Sequence, residues 1–191
     1  MNLKFTLYFL ITFITVIIFS IFTYTTYSNT NFSTSENHPY YFSNSEFFWP
    51  VPGFNTVSSP FGIRTSPTSG ASTYHSGIDI PATEGSTIYS VISGKITYIG
   101  FYGANGYSII QENNDLTVIY GHISPNYIIS IGDFISKGKK ISNIGPKNIY
   151  TIENNPYSDN TGTPTNGATT GPHLHLTVKR NGTPINPLTL F

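Results

Sequence analysis

Downstream of Trp49 the chain is a succession of short runs rich in Ile, Val, Tyr and Thr, interrupted by Gly, Asn, Asp or Pro about every eight to twelve residues. β-Branched and aromatic residues suit a pleated, half-buried surface, and punctuation at this interval marks turns between antiparallel strands. The runs predict strands at 87–91, 94–99, 107–111, 117–121, 139–144 and 173–179. Asn113-Asn114-Asp115 and Arg180-Asn181-Gly182 fall where hairpin turns are required, and an Asn-Gly pair tolerates the positive φ of such turns. No segment of this part has the length and freedom from breakers of a long helix. The expected fold class is all-β, an antiparallel, sandwich-like sheet domain over residues 48–191.

The pattern upstream is different. Phe5 to Tyr24, FTLYFLITFITVIIFSIFTY, holds no charged residue, and about 20 apolar residues at a rise of about 1.5 Å span a bilayer core. TYTTYSNT, which follows, lacks the small-residue cleavage pattern of a signal peptide, so an uncleaved transmembrane helix is preferred to a cleaved leader. Lys4 lies on the amino side and no Lys or Arg follows before Arg64. Positive charge stays in the cytoplasm, so the expectation is a single-pass protein of the cell membrane with its body outside. Residues 25–47, rich in Ser, Thr, Asn and Tyr without a sustained period, predict a flexible extracytoplasmic spacer. The stretch 146–170 is long for a connection inside a compact domain, where medians are about 4 to 6 residues. It runs up to His173, and is either a wall or lid of a site or a loose insertion.

Composition narrows the chemistry. Formal net charge is zero and charged residues make up 9% of the chain, against roughly 25% in ordinary soluble domains. A neutral chain has no basic excess with which to capture nucleic acid, and that partner class drops out. Cysteine is absent, and four of the five histidines fall in three short strings: His75-Ser76-Gly77-Ile78-Asp79, Tyr120-Gly121-His122 and His173-Leu174-His175. The fifth, His38, stands in the spacer beside Pro39 and takes no role. In a strand, residues two apart share a face, so His173 and His175 project together while Leu174 turns into the opposite layer; on a helix they diverge by about 200°. His75 and Asp79 have Gly77 between them to permit a turn. Two imidazole nitrogens and one carboxylate oxygen suit tetrahedral Zn²⁺ with a fourth position open to water, as in a catalytic site. With His122 as a fourth ligand the site would be closed and structural. Spacing alone does not separate ligand from base.

Five strings, WPVPG (Trp49–Gly53), SPFGIR (Ser59–Arg64), HSGID (His75–Asp79), YGH (Tyr120–His122) and TGPHLH (Thr170–His175), resemble in order and spacing the lysostaphin/LytM-type zinc endopeptidases of bacterial cell walls, the M23 peptidase family. The resemblance runs from Trp49 to Phe191. It implies a duplicated hybrid motif domain and one Zn²⁺ held by His75, Asp79 and His175. His122 and His173 become the catalytic residues beside the water that the metal activates, either of them the general base. The implied activity is hydrolysis of peptide bonds in peptidoglycan stem peptides or cross-bridges. A non-cleaving M23-like scaffold, serving as a channel or division partner at the envelope, is the alternative. Such proteins generally show gaps in the ligand set, and this chain shows none. One departure is Leu176-Thr177, where many relatives carry an aromatic and then an acidic residue able to orient a metal ligand from behind; losing such a partner typically costs about 10 to 100 fold in affinity or activity. Ile123 after His122, in place of the more usual leucine, is a swap of similar volume.

Other signals carry less. Gly85–Gly100 and Gly132–Gly145 look like the paired halves of biotinyl and lipoyl carriers but lack the lysine-bearing tip, and a shared sheet scaffold accounts for them. Trp49, Tyr74 and Tyr120 adjoin the motifs and are either groove or core aromatics. Arg64 either meets a substrate carboxylate or braces the Phe61-Gly62 turn.

Overall fold

The computed structural model describes residues 13–15, 17 and 46–191. The chain divides into two compact units, residues 1–40 and 41–191. Of the first unit, Phe13, Ile14, Thr15 and Ile17 are helical and exposed; the rest of the expected anchor, and the spacer up to residue 45 with His38, lie outside the described residues. Among the described residues no helix is long and apolar enough to cross a membrane.

The second unit is built from strands, with two single-turn 3-10 segments at Gly103–Asn105 and Pro187–Leu190. The strands are Gly62–Ile63 (β1), Tyr74–His75 (β2), Ile78–Pro81 (β3), Thr87–Tyr89 (β4), Gly94–Phe101 (β5), Tyr107–Asn113 (β6), Leu116–Gly121 (β7), Phe134–Ile135 (β8), Lys140–Asn143 (β9), His173–Arg180 (β10) and Thr183–Ile185 (β11). Seven of them form one antiparallel sheet in the order β11-β10-β7-β6-β5-β8, with β3 also paired to β10; β1–β2 and β4–β9 form two small ribbons. All six strands expected from the hydrophobic pattern are present, with ends shifted by up to two residues. The two expected turns are two-residue hairpin loops, β6 to β7 through Asn114 (φ 48°) and Asp115, and β10 to β11 through Asn181 (φ 48°) and Gly182 (φ 79°). The carrier-like halves pair with each other, β4 with β9 and β5 with β8, so their likeness to carrier domains is one of scaffold.

Period-two alternation divides the large sheet into a core face and a polar face. Leu174, Leu176 and Val178 of β10, Ile78 and Ile80 of β3, and Val118 and Tyr120 of β7 join one buried apolar cluster with Ile88 and Ile141 of the β4–β9 ribbon. Sheet, core and ribbon make the sandwich-like arrangement expected for the domain. Tyr120 is a core aromatic: its hydroxyl accepts from Val91 N–H at 2.8 Å and donates to Gln111 Oε1 at 3.1 Å. Trp49 packs edge-on against Phe191 with centroids 5.0 Å apart. The opposite face of the same strands carries His173, His175 and Thr177 on β10 and Asp79 on β3. Apolar burial on one face thereby holds the chemistry on the other.

Leu174 sits directly behind the two histidines and is fully buried. Leu174→Ala is expected to lower unfolding free energy by about 2 to 5 kcal/mol, because a buried leucine leaves both lost transfer energy and a cavity. Denaturant titration checks this, and a loss below about 1 kcal/mol would contradict the packing described.

Candidate metal centre

Strand β10 assembles the site because it is paired on both edges. His175 lies opposite Asp79 of β3 on one side and opposite Gly121 of β7 on the other. The residue after Gly121 is His122, and β2 delivers His75 from the β1–β2 ribbon. Gly77, between His75 and Asp79, has a different task from the expected turn. A Cβ there would stand 2.3 Å from the Leu176 carbonyl oxygen, so only glycine lets this segment close onto β10. Expected ligands and expected catalytic histidines are all brought to one cavity of about 360 Å³.

The donor atoms converge tightly. His175 Nδ1 lies 2.8 Å from Asp79 Oδ1 and 3.0 Å from His75 Nε2, and His75 Nε2 lies 3.2 Å from Asp79 Oδ1. Each ring has a hydrogen-bond partner on its far side. His75 Nδ1 is 2.9 Å from the Pro60 carbonyl, and His175 Nε2 is 2.9 Å from Thr177 Oγ1. A carbonyl oxygen only accepts, so His75 donates from Nδ1 and turns the Nε2 lone pair inward; the Thr177 hydroxyl can accept from His175 Nε2, and in that tautomer the His175 Nδ1 lone pair also turns inward. Two lone pairs and a carboxylate oxygen in mutual contact repel one another unless a cation or an added proton lies among them. The spacing and chemistry of the set fit a small divalent ion bound by nitrogen and oxygen.

Burial by itself would raise the Asp79 carboxyl, but in the metal-free site, with a proton held among the donors, hydrogen bonds from His173, His175 and His75 outweigh that and hold it well below the usual carboxylate range. Its second oxygen is occupied: Arg64 donates to Asp79 Oδ2 at 3.0 Å and to Ser59 Oγ, while Arg64 Nε reaches the Ser72 carbonyl at 3.4 Å. Arg64 thus orients the carboxylate, a role the sequence did not suggest, and leaves Oδ1 as the one oxygen facing the cavity centre. Thr177 answers the departure noted after the paired histidines. Its buried hydroxyl, two residues along the same strand face, takes the place where an acidic partner of His175 was expected to be missed.

Two imidazoles remain beside the donor set. His173 gives its Nδ1 proton to the Gly171 carbonyl at 2.8 Å, and its Nε2 lies 3.5 Å from Asp79 Oδ1. His122 gives its Nδ1 proton to the Asn166 carbonyl at 2.6 Å, and its ring centroid is 4.6 Å from that of His173. Burial, reinforced by the neighbouring His173 and His175 rings, pushes the His122 imidazolium well below 6.5; burial also lowers His175, against the pull of Asp79. Both rings are kept neutral. The long segment 146–170 is a wall of the cavity, with Ala168 and Thr170 lining it, and is tied down by bridges at Asn148↔Thr165 and Ser158↔Pro164. A second cavity of about 550 Å³, carrying the Lys147–Asp159 ion pair on its lining, adjoins the first through Pro67 and Thr170. Tyr74, half exposed, stands on the rim as a groove aromatic.

The chain is similar to several known proteins. DD-carboxypeptidase/endopeptidase Mpg of Neisseria meningitidis serogroup B is 29% identical over 138 residues, 72% of this chain and 27% of that protein. The chain thus spans about a quarter of the length of curated relatives such as this one. A zinc containing peptidase from Vibrio cholerae superposes with a TM-score of 0.56 at 25% identity, over 72% of this chain and 37% of the other. The catalytic domain of lysostaphin from Staphylococcus simulans shares the fold, with a TM-score of 0.54 at 23% identity over 70% of this chain and 90% of that domain. The family model of peptidase family M23 matches residues 73–187, which include His75, Asp79, His122, His173 and His175, and on that match the chain belongs to peptidase family M23.

Proposed function

We propose that this chain is a zinc metallopeptidase hydrolysing peptide bonds in peptidoglycan stem peptides or cross-bridges, held at the outer face of a cell membrane by the apolar run Phe5–Tyr24. The observation that carries the reading is the orientation of four imidazoles. Two turn lone pairs toward Asp79 Oδ1 as a donor set, and two more, not needed as ligands, border the same cavity with their Nδ1 protons given away to carbonyls. When bound, zinc supplies a Lewis acid that activates water for attack on a carbonyl.

The chain's own residues do the rest. His75, Asp79 and His175 hold the ion, with Thr177, Pro60 and Arg64 fixing each ligand from behind. His122 and His173 each keep an unprotonated Nε2, suited to accept the proton of the attacking water; once protonated, the same atom donates to the leaving amine or to the oxyanion. The cavity is bordered by a second one that shares Pro67 and Thr170 with it, and the name of the Neisseria relative supports cell-wall peptides as the substrate class. The uncharged run Phe5–Tyr24 with Lys4 before it supports the outward anchor. A non-cleaving scaffold, which the short spacer and single anchor would also suit, is disfavoured because no ligand or catalytic position implied by the resemblance is vacant.

His175→Ala is expected to abolish both zinc binding and wall lysis, whereas His173→Ala keeps zinc and loses turnover. Metal analysis beside release of amino groups from purified cell walls measures both, and full zinc occupancy in the His175 variant would sink the ligand assignment.

Acid is expected to weaken the metal-free protein. His122 and His175 titrate near 6.5 when unfolded and well below it, or below it, when folded. As pH falls past about 6.5 the unfolded chain takes up protons that the folded one refuses, so the stability these residues contribute at pH 8 is progressively lost. Asp79, shifted downward from 3.8, acts in a separate window, losing its contribution only below about pH 4. Denaturant midpoints of the metal-free chain at pH 8 and pH 5 test this, and equal midpoints would contradict it.

A further inference from the structure

Asn166 is fully buried, and two of its hydrogen bonds run to His122 and to the residue next to it. Its side-chain Oδ1 accepts from Tyr107 N–H at 2.8 Å, at the start of β6, and its Nδ2 donates to the carbonyl of Ile123, the neighbour of His122, at 3.1 Å. Its backbone N–H donates to the Lys147 carbonyl at 2.8 Å, and its own carbonyl receives the His122 Nδ1 proton at 2.6 Å. We infer that Asn166 is a positioning residue for turnover: its side chain pins the loop so that its carbonyl holds His122 in the tautomer with a free Nε2. The inference rests on the reading of His122 as a proton acceptor given above.

Three features support a clamp on His122 over simple loop anchoring. First, His122 occupies the left-handed region, φ 55°, which is strained for a non-glycine residue and persists where surroundings over-determine it. Its N–H donates to the Asn105 carbonyl at 2.7 Å and its carbonyl accepts from Gly145 N–H at 3.0 Å, so the Asn166 side chain completes a set of ties on both sides of a strained residue. Second, backbone clearance serves the same contact. A Cβ on Gly106 would lie 2.2 Å from the Asn166 carbonyl oxygen, and one on Gly167 would lie 2.3 Å from Gly106 N. Third, the pairing needs an amide. Tyr107 N–H requires an acceptor and the Ile123 carbonyl a donor, and Asn presents one of each at this reach. Aspartate would set a second oxygen against the Ile123 carbonyl, and alanine would leave both groups unpaired and buried.

The test is the protonation pattern of the His122 ring, read by long-range ¹H–¹⁵N correlation on the full chain labelled at histidine, with and without added zinc. In the natural sequence His122 is expected to carry its proton on Nδ1 in both conditions. Asn166→Ala is expected to release the ring into a mixture of tautomers and to lower kcat about 10 to 100 fold, the range seen when a partner orienting an active-site histidine is removed, with KM and zinc stoichiometry within twofold of the natural protein. Asn166→Asp, which keeps the Tyr107 contact, is expected to lie between the two. A natural-sequence ring protonated on Nε2 overturns the inference, and so does an Asn166→Ala protein that keeps both the Nδ1 tautomer and its kcat. Should Asn166→Ala fail to fold, the natural spectrum and Asn166→Asp still decide. A chain that shows the expected tautomer yet neither binds zinc nor cleaves cell-wall peptides refutes the proposed function and leaves the clamp as a structural device without a role in turnover.

Discussion

Strand β10 is hydrogen-bonded along both edges, to β3 and to β7, while its side chains alternate between an apolar layer and a polar cavity. A strand held on both sides has no freedom to slip, because a shift of one residue would drive His175 into the core and expose Leu174 and Leu176. The register that satisfies the core is therefore the register that sets His175 against Asp79. Stability and chemistry are not separate demands on this strand; they are the two faces of one pairing.

The second layer of the site follows a single rule: each imidazole meets, on its outward nitrogen, a group supplied by the fold that can accept its proton. Three acceptors are backbone carbonyls, those of Pro60, Gly171 and Asn166, and the fourth is the Thr177 hydroxyl. Carbonyls at fixed positions do not titrate and do not rotate. A site oriented this way keeps its lone pairs inward without further charged side chains, consistent with a chain in which charged residues are only 9%. Arg64 is the exception, and its partner is the one carboxylate.

Much of this was legible in the chain. The strands were marked by β-branched runs between Gly, Asn and Asp, and the shared face of His173 and His175 followed from their spacing in a strand. Asp79 and His75 were visible as chemistry but not as strand residues, because Gly77 looks like a turn residue when the nearby Leu176 carbonyl is unknown. Thr177 could have been found: it continues the His173, His175 alternation on the same face. Arg64 and Asn166 could not. Their partners lie 15 and 44 or more residues away, and neither an arginine after Gly-Ile nor an asparagine among many others differs in sequence from a solvent-exposed residue. Contacts closed by tertiary folding leave no local period to detect.

The distance along the chain between His75 and His175 has a consequence for how the protein is made. These ring nitrogens meet across 100 residues of intervening sequence, so the last donor leaves the ribosome only after almost all of the domain has been synthesised. Closing a loop of that length carries an entropic cost that grows as its logarithm, about 4 kcal/mol by the flexible-chain scaling, and the β3–β10–β7 pairings must offset it. A nascent or truncated chain ending before His175 holds only two of the three donors. On the proposed ligand set, metal capture would be postponed until folding is nearly complete.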